Sequence, residues 1–126
     1  KKIWKGFADD KPKTMSEYKF ALCFENAIWP GYVTEKIFDC MAVGAIPIYW
    51  GAPDIEDDVS VGCFIDMRKF KNYEELRNFL RALTSDQIEN YRKAICVYFN
   101  SEKFKKFTPQ YFFETILKII KDEKNN

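Results

Sequence analysis

The residues best suited to chemistry lie in the stretch 25–36, read as ENAIWPGYVTEK. It follows an apolar run that ends at Phe24 and precedes a helical pattern on which Ile37, Cys40 and Met41 share a face. In open α/β sheets, ligands gather beyond the carboxyl ends of strands, where helix N-termini point. The first backbone N–H groups of a helix lack partners, so such a place welcomes an anion. Lys36 would stand in the first helical turn, where a cation opposes the helix dipole by roughly 0.3–1 kcal/mol. A bound anion reverses that sign, although a solvated surface lysine fits the same pattern. Glu35 suits the dipole without any function; its other role is to accept hydrogen bonds from paired sugar hydroxyls. Tyr32 and Trp29 can stack on a ligand or fold back onto the core. Asn26 reads as a turn residue first and a ligand contact second. Thr34 is placed to cap the helix.

Other chemistry is excluded by what is absent. The 126 residues contain no histidine, which removes Ser-His and Cys-His catalysis and every His-containing zinc site. Cys23, Cys40, Cys63 and Cys96 form no C-x-x-C pair and each lies in an apolar run, so buried free thiols are expected. Twenty Lys and Arg against 19 Asp and Glu leave a formal charge of +1, too small to draw nucleic acid to the chain as a whole. No glycine-rich phosphate loop of either common pattern occurs. No stretch approaches the roughly 20 apolar residues of a membrane span, and no signal peptide is visible. Aromatic residues at 17% supply a sizeable core.

The elements that must position these residues follow from pattern. Residues 1–16, polar and with Pro12, read as an entry loop or arm. Residues 18–24 read as a strand, and 35 to about 43 as a helix closed by Gly44 in a left-handed conformation. Residues 46–50 form a second strand. Strand, loop, helix and strand then fit the size of one right-handed βαβ unit. A third strand is expected at 63–66. Asn72 is placed to cap a helix over 73–83, with Glu75 completing a capping box. Ser85 is placed to cap a helix from 86 to about 99, and Thr108-Pro109 to open one that continues over 111–121. The class is α/β, a parallel sheet layered by helices. Three strands leave an exposed edge unless further chain covers it.

Tyr18-Lys19-Phe20, Phe24-Glu25-Asn26, Tyr32-Val33-Thr34-Glu35-Lys36, Ala45-Ile46-Pro47-Ile48 and Gly51 together resemble the α1,3/α1,4-fucosyltransferases, glycosyltransferase family ten. The resemblance covers residues 15–85 well and the remainder by general character. It implies a Rossmann-like parallel sheet, part of the C-terminal domain of a two-domain GT-B glycosyltransferase. Residues 1–126 would be a partial GDP-fucose-binding domain, with the N-terminal acceptor domain absent from this chain. The reaction implied is inverting transfer of L-fucose from GDP-fucose to N-acetylglucosamine or glucose of a glycan, α1,3 linkage first. Asn26, Tyr32, Thr34, Glu35 and Lys36 match the family's donor-contacting motif. By that match an unpaired Lys36 would neutralise the diphosphate, Glu35 would hold hydroxyls of ribose or fucose, and Tyr32 would pack near the nucleotide–sugar junction. No metal and no other cofactor is implied. The general base and a donor-contacting arginine would lie outside the chain, since Arg68, Arg77, Arg81 and Arg92 are all downstream. The fragment alone is therefore expected to transfer no fucose.

Two other readings stand beside it. One is a GT-B enzyme using another nucleotide sugar. The other is a non-catalytic α/β interaction module, for which Asp54, Glu56, Asp57 and Asp58 imitate an acidic cluster at strand ends. The basic-aromatic run 103–107 (KFKKF) and the helix after it suit either a membrane surface carrying an oligosaccharide or lipopolysaccharide acceptor, or ordinary helix packing with snorkelling lysines. The resemblance implies either the cytoplasm of a bacterium, peripheral to the inner membrane, or the Golgi lumen, and the Lys-, Ile-, Phe- and Asn-rich composition without an N-x-S/T sequon favours the first.

Overall fold

Residues 20–24 alternate, and the alternation sorts them between two layers. Cys23 joins one buried cluster with Ile37, Cys40, Met41 and Tyr49, while Phe20 and Phe24 pack against a second built on Ile46, Ile48, Ile65 and Leu76. In the computed structural model, which describes residues 6–125, three strands lie between these layers. They are β1 (Phe20–Phe24), β2 (Ile46–Trp50) and β3 (Ile65–Asp66), all parallel, in the order β1-β2-β3. Phe20 pairs with Ile46, Phe24 with Trp50, and Ile48 with Ile65. The central strand β2 is buried at its first four positions, as its unbroken apolar sequence requires of a strand covered on both faces.

Seven α-helices accompany the sheet among the described residues: α1 (Lys11–Ser16), α2 (Glu35–Ala42), α3 (Ile55–Asp58), α4 (Tyr73–Ala82), α5 (Ser85–Phe99), α6 (Glu102–Lys105) and α7 (Pro109–Lys124). Ile37, Cys40 and Met41 of α2 and Ile95 and Tyr98 of α5 fill the first layer. Leu76 and Leu80 of α4 with Ile88 and Tyr91 of α5 fill the second. Tyr98 Oη donates to the Asp58 carbonyl at 2.8 Å, which fastens α5 to the end of α3. No residue of α7 is buried, and Phe112 and Phe113 stand in the open.

The end of α2 forms as its sequence dictates. Gly44 takes φ of +82°, its N–H donates to Met41 O at 3.1 Å, and the Ala45 N–H donates to Cys40 O at 3.2 Å. This paired closure needs a residue without a Cβ penalty at the left-handed position. It turns the chain straight into β2.

Several boundaries differ from the sequence reading. Within the expected arm, residues 11–16 form α1; residues 1–5 lie outside the described residues. Pro12 sits in the first turn, where a missing N–H costs nothing, and Asp10 accepts from the Lys13 N–H at 2.9 Å. The first strand begins at Phe20 rather than Tyr18, and the third shrinks to Ile65–Asp66 because Val61–Cys63 coil into a 3-10 turn. At α4, Asn72 caps as expected, yet Glu75 Oε2 accepts from the Lys71 N–H rather than closing the box on Asn72. The full capping box belongs to α5, and Thr84 with Gln87 makes it, not Ser85. A threonine there presents the same hydroxyl one residue earlier, so sequence pattern alone does not separate the two. Residues 102–105 add α6, and the acidic loop after Pro53 contains the single turn α3.

Candidate functional site

The period-two alternation of β1 does not stop at Phe24. It carries Glu25 onto the same side as Ala21 and Cys23, beneath α2. The backbone N–H of Glu25 still donates to Trp50 O at 2.9 Å, extending the ladder one residue beyond β1. Its side chain is fully buried, at 0% exposure. Burying a carboxylate costs several kcal/mol unless it is paired and hydrogen-bonded. Glu25 meets that condition through its neighbours across the loop. Oε1 accepts the Thr34 N–H at 2.9 Å, and Oε2 accepts the Thr34 hydroxyl at 2.6 Å and the Lys36 ammonium at 3.3 Å.

Lys36 is therefore not the unpaired cation expected from the sequence. Its Nζ also donates to Thr34 Oγ1 at 3.3 Å. Two of its three N–H groups are thus committed, and the side chain remains 29% exposed. Thr34 is the N-cap of α2, as expected, but its hydroxyl points to Glu25 and makes no capping bond. The first-turn N–H groups of α2 accordingly have no side-chain cap, while Lys36 stands beside them. The positive end of a helix dipole and a partly exposed lysine converge there, and the arrangement can hold an anion. Cys23 Sγ lies 3.5 Å from the Lys36 carbonyl and ties the same turn to β1.

The other residues of the stretch take different positions. Asn26 and Glu35 are exposed, and Tyr32 is 38% exposed. None of these three side chains enters a hydrogen bond among the described residues. The structure thus brings Thr34 and Lys36 together on Glu25 and leaves Asn26, Tyr32 and Glu35 facing outward around them. Glu25, passed over by the sequence reading as a site residue, is the centre of the cluster. The signal for it was available: a carboxylate at an inward position just past an apolar strand must find a partner.

The loop is held from the next strand end as well. The Gly31 N–H, in a left-handed turn with φ of +72°, donates to Asp54 Oδ1 at 2.8 Å. Gly51 packs directly under Glu25, where a Cβ would come within 2.5 Å of Glu25 Cγ and 2.7 Å of Tyr49 Oη. Tyr49 Oη accepts the Ala52 N–H at 3.2 Å. Burial, with the Glu25 carboxylate adding to it, pushes the Tyr49 phenol up to about 12.

Three of the four acidic residues after Pro53 are engaged with other parts of the fold. Asp54 binds the Gly31 turn, Asp58 pairs with Lys106, and Glu56 faces Arg68 at 4.0 Å. Arg68 is itself committed, with bonds to both Asp66 oxygens and to the Pro53 carbonyl. Among the described residues no three carboxylates or thiols converge in a way that could hold a metal ion. In the basic-aromatic run, Phe104 and Phe107 pack on Phe38 with ring centroids 5.8 and 4.7 Å away. Lys103 donates to the Glu56 carbonyl at 2.6 Å. Phe104 and Phe107 thus pack inward, while Lys105 and Lys106 remain exposed.

Among the clefts of the described residues, two flank the sheet. One of about 350 Å³ lies at the carboxyl ends of the strands, walled by Phe24, Trp50, Arg68 and Tyr73. The larger, about 660 Å³, lies between β3, α4 and α5, and neither cleft is lined by a residue of the stretch 25–36.

Comparison with known proteins places these features in context. The description of glycosyltransferase family 10 (fucosyltransferase), C-terminal part, matches residues 2–119. Alpha-(1,3)-fucosyltransferase FucT of Helicobacter pylori is 43% identical over 74 residues, 59% of this chain and 16% of that protein. Alpha-(1,4)-fucosyltransferase of Arabidopsis thaliana is 40% identical over 74 residues, 59% of this chain and 18% of that protein. GDP-fucose protein O-fucosyltransferase 3 of Homo sapiens is 38% identical over 80 residues, 63% of this chain and 17% of that protein. A crystal structure of an alpha1,3-fucosyltransferase with GDP-fucose superimposes with a TM-score of 0.58 at 38% identity, covering 70% of this chain and 26% of that one. The chain thus spans less than a fifth of the length of these curated relatives.

Proposed function

The chain belongs to glycosyltransferase family 10, the fucosyltransferases, and from that premise we propose that it is part of the GDP-fucose-binding domain of a larger GT-B enzyme. The whole enzyme would transfer L-fucose to the 3-OH of N-acetylglucosamine or glucose in a glycan. The acceptor oxygen forms the new bond to the sugar's anomeric carbon, the bond from that carbon to GDP breaks, and the configuration inverts. The leaving diphosphate needs positive charge, and a base outside these residues takes the acceptor proton.

The observation that carries this reading is the Lys36 ammonium, anchored by two acceptors with its third donor left for a ligand, beside the uncapped start of α2. Lys36 and the helix dipole receive the pyrophosphate and do the work that a divalent cation does in other transferases. Glu35, exposed on the first turn, accepts from ribose or fucose hydroxyls. Tyr32 packs near the nucleotide–sugar junction, and Asn26 contacts the donor from the loop. Thr34 supports Lys36 from behind.

Calorimetric titration of the full-length enzyme with GDP-, UDP- and CMP-sugars tests the reading. GDP-fucose is expected to bind and to protect Lys36 from acylation. Selective binding of UDP or CMP sugars would assign the domain to another nucleotide-sugar transferase. Residues 1–126 alone should show no turnover on a lactosamine acceptor, because the base lies elsewhere. The compartment we propose is the bacterial cytoplasm. Contact with a membrane-borne acceptor would fall to α7, whose Phe112, Phe113 and Ile119 are exposed, and co-sedimentation with anionic vesicles tests that.

A further inference from the structure

Lys36 has four freely rotating side-chain bonds, and a free lysine explores many rotamers. What stills it here is Glu25. The carboxylate is seated from three directions. Its backbone N–H continues the β1–β2 ladder onto Trp50 O at 2.9 Å. The bare backbone of Gly51 lets its stem lie where any Cβ would collide. Both its oxygens are filled by Thr34, and one also takes Lys36. The same bonds draw the Thr34 hydroxyl away from its usual capping partner and leave the first turn of α2 uncapped.

We propose that Glu25 is a positioning residue for donor binding, which orients the Lys36 ammonium toward the pyrophosphate and keeps the start of α2 open by occupying Thr34. This rests on the reading of Lys36 as a pyrophosphate ligand. The Glu25 side chain has no exposed surface with which to meet a substrate; it acts through Lys36 and Thr34. The rival account is that Glu25 merely ties the loop 26–33 to β1 and contributes to stability alone.

The two accounts separate in a double-mutant cycle on the full-length enzyme, read as the dissociation constant of GDP and as KM for GDP-fucose against KM for the acceptor. Glu25→Gln keeps the shape but sets an amide N–H₂ against the ammonium. It is expected to weaken GDP and raise donor KM about tenfold, leaving acceptor KM unchanged. In a Lys36→Ala background the same change should cost clearly less GDP binding, the remainder passing through Thr34. Equal losses from Glu25→Gln with and without Lys36 would overturn the proposal, as would normal GDP binding by a folded Glu25→Gln enzyme. If Lys36→Ala alone binds GDP normally, the reading of Lys36 fails first, which is a separate result. Thr34→Val provides a milder probe should Glu25→Gln fold poorly. It removes one anchor of the ammonium, and a severalfold rise in donor KM that vanishes in Lys36→Ala is expected; an unchanged donor KM would count against the proposal.

Discussion

The Gly31 N–H donates to Asp54 Oδ1 at 2.8 Å, 23 residues further along the chain. The loop after β1 is thereby fastened to the loop after β2. Asp54 was one of four carboxylates that imitate an acidic cluster in the sequence, and in the fold it serves as a clasp for the left-handed turn that presents Tyr32. Asp54→Ala should free this turn and raise donor KM severalfold in the full-length enzyme, while Asp54→Asn, which keeps an acceptor oxygen, should change it little. Steady-state kinetics with GDP-fucose varied at fixed acceptor provides the measurement.

Gly51 lies under Glu25 because nothing larger fits. A Cβ at this position would stand 2.5 Å from Glu25 Cγ and 2.7 Å from Tyr49 Oη. Both neighbours are buried. Gly51→Ala should destabilise the domain by about 1–3 kcal/mol, the usual cost of overpacking. Thermal unfolding followed by circular dichroism would register it.

Alkaline stability should depend on Tyr49. Burial and the nearby Glu25 carboxylate raise its phenol from 10.0 to about 12, so the folded state holds the proton more tightly than the unfolded chain. That contribution is complete below pH 10 and is lost as pH rises toward 12. Tyr49→Phe should flatten the fall in stability between those values, measured as denaturant midpoints against pH. An unchanged slope would show that another group titrates.

Acid stability runs the other way at Asp66. Burial pushes its carboxyl up, but the hydrogen bonds from the Arg68 side chain and backbone outweigh burial and hold it below the usual 3.8. A lowered value favours the folded state above pH 3.8, and the contribution fades as pH falls through the folded value. Asp66→Asn should lose stability at pH 7 and lose less on acidification than the parent. Because Arg68 also donates to the Pro53 carbonyl at 2.7 Å, the turn after β2 loosens with it.

The thiols divide three to one. Cys23, Cys40 and Cys63 are buried, whereas Cys96 is exposed on α5, contrary to the expectation that all four are buried. Its neighbours at Ile95 and Tyr98 point inward, and helical periodicity turns Cys96 and Val97 to solvent. Burial raises Cys63 to about 11, which slows its reaction further. A disulfide reagent should titrate one equivalent at once in the native protein and the other three only on unfolding.

The sequence by itself determined what local rules can write. Alternation in 20–24 and the apolar run 46–50 specify strands, Gly44 closes α2, and Asn72 starts α4, because each depends on neighbours a few residues away. The donor motif was likewise legible as a string of residue types. Only the tertiary structure decided that Lys36 is paired, that Thr34 withholds its cap, and that Glu25 is the residue joining them. Those contacts span nine and eleven residues and need two strand ends brought side by side with Gly51 beneath them. The partner of a charge is set by where the backbone delivers it, and residue spacing along a loop of irregular geometry does not report that distance.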